Sequence, residues 1–112
     1  MSGTLTNGPV WEGGAPFSTT PGSLQLSGTT GYVTFGSAPA LGASAFTLEC
    51  WLRRDGAGVA VSTGTGGITA VPLVTKGRGE AESPANLNMN YFLGIDGSTG
   101  VLTADFEDTA TG

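Results

Sequence analysis

Short apolar runs separated by glycine-rich polar stretches organise this chain, and within the runs apolar and polar residues alternate. Leu24-Gln25-Leu26 puts both leucines on one side of an extended backbone, and Tyr32-Val33-Thr34-Phe35 alternates in the same way. The glycine-bounded residues 28–31 between them predict a hairpin with a short polar loop. The clearest alternation spans residues 46–53. Phe46, Leu48, Cys50 and Leu52 share one face there, and Thr47, Glu49, Trp51 and Arg53 share the other. Residues 71–76 predict a further strand, with Pro72 at an edge or first position because proline cannot donate to a ladder. Residues 91–95 and 101–106 predict a second hairpin, closed by Asp96-Gly97-Ser98-Thr99-Gly100.

Residues 1–22, rich in Gly, Pro, Ser and Thr, are expected to be an irregular lead-in with a short strand near Thr4–Thr6. Trp11 and Phe17 are expected to pack across one end of the fold. Residues 23–112 then form a single domain, with long loops at 55–70 and 77–90. No helical period of useful length occurs, and no internal repeat.

Composition narrows the function classes. Hydrophobic residues make up 38% and charged residues 12%, with 20 glycines, which suits a turn-rich all-β domain. Nine acids against four bases give a net charge of −5. Lys76, Arg53, Arg54 and Arg78 are too few to neutralise a run of phosphates, so neither nucleic acid nor an anionic membrane is an expected partner. No apolar stretch approaches the roughly 20 residues that span a bilayer. No signal peptide is expected at the N-terminus, which lacks a basic region followed by an apolar one. The absence of histidine removes Ser-His-Asp and Cys-His catalysis and the commonest zinc ligand. Cys50, the one cysteine, lies in an apolar alternation and is expected to be a packed, inert thiol.

Several segments resemble a known family. Gly22-Ser23-Leu24-Gln25-Leu26-Ser27-Gly28, Gly31-Tyr32-Val33-Thr34-Phe35 and Phe46-Thr47-Leu48-Glu49-Cys50-Trp51-Leu52 are similar to the opening of LamG-like jelly-roll domains of the concanavalin A-like class. In those domains an LxFxGxxxYV hairpin precedes a strand of the form FTxExW. Leu73-Val74-Thr75-Lys76-Gly77 and Tyr91-Phe92-Leu93-Gly94-Ile95-Asp96 continue the match in order, and Gly3-Thr4-Leu5-Thr6-Asn7-Gly8-Pro9 resembles the segment that leads into the first hairpin. The resemblance implies an antiparallel jelly-roll-like β-sandwich from an extracellular or cell-surface protein. It also implies an incomplete sandwich, because the family's later WHHVAxT and LYxDG strands do not appear within residues 1–112. The missing surface is then expected from a second copy, giving a homo-oligomer, or from the remainder of a parent domain. Thr29-Thr30-Gly31 departs from the Asn-Asp that many relatives carry before the tyrosine, which weakens the carry-over of a calcium site there.

Three groups of residues are candidates for chemistry. Glu49, Trp51 and Arg53 share a face, where an indole stacks on a pyranose and flanking charges meet its hydroxyls; the structural alternative is a Glu49–Arg53 pair with Trp51 packed beneath a loop. Asp105 and Glu107 share a face at spacing i, i+2. They suit an acid/base pair, which retaining glycoside hydrolysis needs about 5 Å apart, or, with Asp108, oxygen ligands for Ca²⁺; a solvated acidic strand end is the alternative. Glu80, Glu82, Asn86, Asn88 and Asn90 suit a cation or a glycan, or simply a polar surface loop. Gly64-Thr65-Gly66-Gly67 lacks the lysine and following helix of a phosphate cradle. The leading expectation is a non-catalytic recognition module for a glycan or protein ligand that requires no cofactor. A hydrolase built on the clustered carboxylates and a structural spacer are the alternatives.

Overall fold

The computed structural model describes residues 2–13, 22–64, 66–77 and 89–106. Its regular structure is almost entirely strand, and every strand pair is antiparallel. The one helical element among the described residues is a single 3₁₀ turn, Pro39–Leu41, closed by the Gly42 N–H donating to the Pro39 carbonyl at 3.0 Å. The fold is all-β. Contacts divide the chain into two units, Met1–Ala38 with Cys50–Gly58, and Pro39–Glu49 with Val59–Gly112.

The first unit holds β1 (Thr4–Thr6), β2 (Val10–Glu12), β3 (Ser23–Gln25) and β4 (Tyr32–Thr34). β3 and β4 form where alternation predicts strands, but they do not form the expected hairpin with each other. β4 pairs with β1, Thr4 opposite Thr34, and β3 pairs with β2, Val10 opposite Gln25. The ladders are nested: the chain runs out through β1 and β2 and returns through β3 and β4. The lead-in therefore supplies half of this unit's strands. The physical reason is that alternation assigns residues to faces but does not choose a partner, which is a long-range decision. Between the ladders, the Asn7 side chain donates to the Thr30 carbonyl at 3.2 Å and Ser27 Oγ accepts the Gly31 N–H at 3.1 Å.

The second unit is a four-stranded sheet in the order β5 (Val61–Ser62), β6 (Thr69–Lys76), β7 (Tyr91–Asp96), β8 (Leu102–Asp105). β7 sits inside it, with Tyr91, Phe92, Gly94 and Ile95 all buried. Burial on both faces explains why Tyr91-Phe92-Leu93-Gly94-Ile95 is an unbroken apolar run rather than an alternating one. Ala70, Met89 and Phe92 form the core cluster, and Ile68 packs against it. Phe46 lies against Tyr91 with ring centroids 4.9 Å apart.

Pro72 is accommodated by two features. β5 pairs β6 only through Thr69 and Ala70, so Pro72 meets no ladder on that side, and the β6–β7 register shifts between Pro72 and Val74. Gly94, opposite Pro72, is required by close approach: a Cβ there would stand 2.7 Å from the Val71 carbonyl oxygen and 2.5 Å from the Phe92 ring. The Phe92 ring thus comes closest where Gly94 has no side chain.

Residues 46–53, the clearest alternation in the chain, belong to no strand. Two extended faces become a strand only when a neighbour takes up the backbone hydrogen bonds, and no described strand pairs with them. Their side chains are accordingly open: Phe46 and Leu52 are exposed, and Cys50 is an exposed thiol rather than a packed one.

Candidate functional site

Residues 46–53 leave the expected ligand-binding residues Glu49, Trp51 and Arg53 exposed and divided between the two units. Glu49 closes a stretch of the second unit, while Trp51 and Arg53 belong to the first. The Trp51 ring is 77% exposed, so the reading in which it packs beneath a loop does not hold. Arg53 takes Asp55, not Glu49, as its ionic partner. Its Nε donates to both Asp55 oxygens at 2.9 and 3.1 Å, and a terminal nitrogen donates to Oδ2 at 2.8 Å. The hydrogen bonds with Asp55 raise the Arg53 pKa and lower that of Asp55. Both side chains remain largely exposed, and such a pair contributes little to stability. What it does is orient the guanidinium two residues beyond an open indole.

Arg54 is used differently. Its Nε and one terminal nitrogen donate to the carbonyls of Gly56 and Ala57, each at 2.9 Å, which curls the backbone after the Arg53–Asp55 pair. The local sequence Arg53-Arg54-Asp55-Gly56 therefore organises itself without a ladder. Residues 51–58 are all exposed.

Trp11 is also exposed, at 72%, instead of packing across one end of the fold. Phe17 lies outside the described residues. With Glu12, Gly13 and Gly22, Trp11 lines an open cleft of about 290 Å³. Gly22 fits tightly there, since a Cβ would stand 3.1 Å from the Glu12 carbonyl oxygen. Both tryptophans of the chain thus face water. The lead-in position of Trp11 gave no sign of this.

The carboxylate candidates fare differently. Asp105 lies on β8 with Oδ2 accepting the Thr63 hydroxyl at 2.6 Å and Oδ1 accepting the Phe106 N–H at 2.9 Å. Both oxygens are occupied within the fold. Glu107 and Asp108, its expected partners in acid/base chemistry or calcium binding, lie outside the described residues. Among the described residues no three His, Cys, Asp or Glu side chains gather into a metal-binding group. Glu80, Glu82, Asn86 and Asn88 also lie outside the described residues. Asn90 has a structural task, accepting the Ala43 N–H at 3.0 Å and donating to the Ala43 carbonyl at 3.3 Å.

No protein-family model, no curated protein and no solved structure matches this chain.

Proposed function

We propose that the chain is a non-catalytic recognition module, a LamG-like β-sandwich domain of an extracellular protein, that binds carbohydrate through Trp51. The observation that carries this reading is a 77% exposed indole two residues from a guanidinium already fixed by Asp55. An indole stacks on the C–H face of a pyranose, and the outward N–H groups of Arg53 with the Asp55 oxygens suit sugar hydroxyls. Because Arg53 is oriented beforehand, binding loses less side-chain entropy. A ring of about 200 Å² half covered by a sugar gains roughly 2–3 kcal/mol from area alone. That magnitude corresponds to weak binding of a monosaccharide and favours longer oligosaccharides that cover more surface.

The antiparallel all-β fold and the ordered motifs from Gly22 to Asp96 support the LamG-like assignment. The exposed Leu102 on β8 and Phe106 just after it support self-association as the means of covering this sheet edge. Glu49 stays outside the proposed platform.

The test is binding of the full chain to an immobilised panel of neutral and acidic oligosaccharides, compared with Trp51→Ala and Asp55→Ala. The proposal expects saturable binding to at least one glycan class, lost in Trp51→Ala and weakened in Asp55→Ala. A folded chain that binds no glycan, or a Trp51→Ala variant that binds as well as the parent, contradicts it.

A further inference from the structure

We propose that Asn7 is a site of spontaneous covalent modification, losing its side-chain amide through a cyclic imide formed with the backbone nitrogen of Gly8. Of the asparagines Asn7, Asn86, Asn88 and Asn90, Asn7 alone precedes glycine; the others precede Leu87, Met89 and Tyr91. A following side chain shields its own backbone nitrogen from the asparagine amide, and glycine provides no such shield.

The structure leaves both reacting groups open. Asn7 and Gly8 are exposed, at the turn from β1 to β2, with φ of 59° and 84°. The Gly8 N–H has no hydrogen-bond acceptor among the described residues, and a Cβ at Gly8 would meet nothing within 4 Å. Closing the ring requires rotation about the Asn7 ψ angle, and among the described residues no hydrogen bond holds the Gly8 N–H against it. The Asn7 amide is tied by one bond, Nδ2 to the Thr30 carbonyl at 3.2 Å, near the long end of the range. The chain's Asp-Gly pairs are poorer electrophiles. The Asp55 carboxylate of Asp55-Gly56 is bound to Arg53, and that of Asp96-Gly97 accepts four hydrogen bonds from Ser98 and Thr99, which keeps it ionised.

The steps balance with water alone. The Gly8 nitrogen gives up its proton to solvent base and bonds to Cγ of Asn7. The Cγ–Nδ2 bond breaks, and Nδ2 takes up a proton and leaves as ammonia. Water then opens the imide: cleavage at Cγ yields aspartate, and cleavage at the main-chain carbonyl yields isoaspartate. One water is consumed and one ammonia released. Either product deprives the Thr30 carbonyl of its donor and sets a carboxylate near it, and isoaspartate also lengthens the main chain between β1 and β2. The modification therefore loosens the join between the nested ladders.

The experiment incubates the full chain at neutral and mildly alkaline pH, digests it with trypsin, and follows each asparagine by tandem mass spectrometry. Isoaspartate is read separately with an isoaspartyl methyltransferase and labelled methyl donor. Arg53 is the first basic residue, so Asn7 is the only asparagine in its peptide. Amide loss at Asn7 should outrun that at Asn86, Asn88 and Asn90, give both acids, and accelerate with pH. Gly8→Ala should reduce Asn7 to the rate of the other three. Equal rates at all four asparagines in the unaltered chain, or an Asn7 that keeps its amide while the others lose theirs, overturns the proposal without relying on the variant.

Discussion

Thr63 Oγ1 donates to Asp105 Oδ2 at 2.6 Å, joining the loop after β5 to the edge strand β8 across 42 residues of sequence. Thr63 is buried, at 2% exposure, and its hydroxyl also accepts the Ile68 N–H at 2.8 Å. One hydroxyl thus satisfies a donor and an acceptor. Gly67 makes room for it, since a Cβ at that position would run into Thr63 Oγ1 and come within 3.0 Å of Asp105 Oδ2.

Replacing that hydroxyl with a methyl group should be costly. Thr63→Val keeps the shape and leaves the Ile68 N–H and an Asp105 oxygen without their partner, a loss of about 1–3 kcal/mol. Urea denaturation should show a lower midpoint at unchanged slope, with Thr63→Ser much closer to the parent. A double-mutant cycle with Asp105→Ala should be non-additive; simple additivity would mean that the bond contributes nothing.

Gly94→Ala should destabilise the sheet by about 1–3 kcal/mol through overpacking. The new methyl would meet the Val71 carbonyl, which is backbone and cannot swing aside, as well as the Phe92 ring. Thermal denaturation followed by circular dichroism checks this, and an unchanged midpoint contradicts the close approach.

The β7–β8 turn should fail in acid. Asp96 Oδ1 accepts from the backbone and hydroxyl of Thr99 at 2.6 and 2.7 Å, and from the backbone and hydroxyl of Ser98 at 3.0 and 2.7 Å. The Thr99 bonds first, then those of Ser98, hold its carboxyl well below the usual carboxylate range. A depressed folded-state pKa means that the unfolded chain takes up this proton first as pH falls. The turn's contribution is therefore complete above about pH 4, the unfolded aspartate range, and declines as pH drops toward the folded value. Amide exchange or chemical shifts at Ser98 and Thr99 should report this loss. Asp96→Asn should flatten the acid dependence, and a turn that is insensitive to acid contradicts the assignment.

In the second unit β7 and β8 were legible because their signals are local, whereas β5 (Val61–Ser62) and the start of β6 fall in the expected loop 55–70. Asp96-Gly97-Ser98-Thr99-Gly100 announces a turn by chemistry that acts within five residues, and the apolar runs on either side then have little choice but to pair. Pro72, expected at an edge or first position, lies inside β6 between β5 and β7, and is tolerated because β5 pairs only Thr69 and Ala70. The first unit was harder: Leu24 and Tyr32 lie on strands as expected, yet each strand pairs with a lead-in segment whose glycines and prolines conceal it. Trp11 opposite Leu24 is a cross-strand pair that periodicity within either segment cannot show.

The candidate site was legible only in part. Trp51 and Arg53 were singled out by residue type as a possible binding face, but the partner of Arg53 is Asp55, two positions beyond the expected acid-base face. The Thr63–Asp105 bond depends on a distant loop and on the missing side chain of Gly67, neither of which has a local signature.

The most direct measurement is acrylamide quenching of Trp51 fluorescence in a Trp11→Phe variant, with and without the tightest-binding oligosaccharide. A recognition platform requires the indole to be freely quenched alone and shielded when the sugar binds. An indole already shielded in the free chain, or equally quenched at saturating sugar, would contradict it.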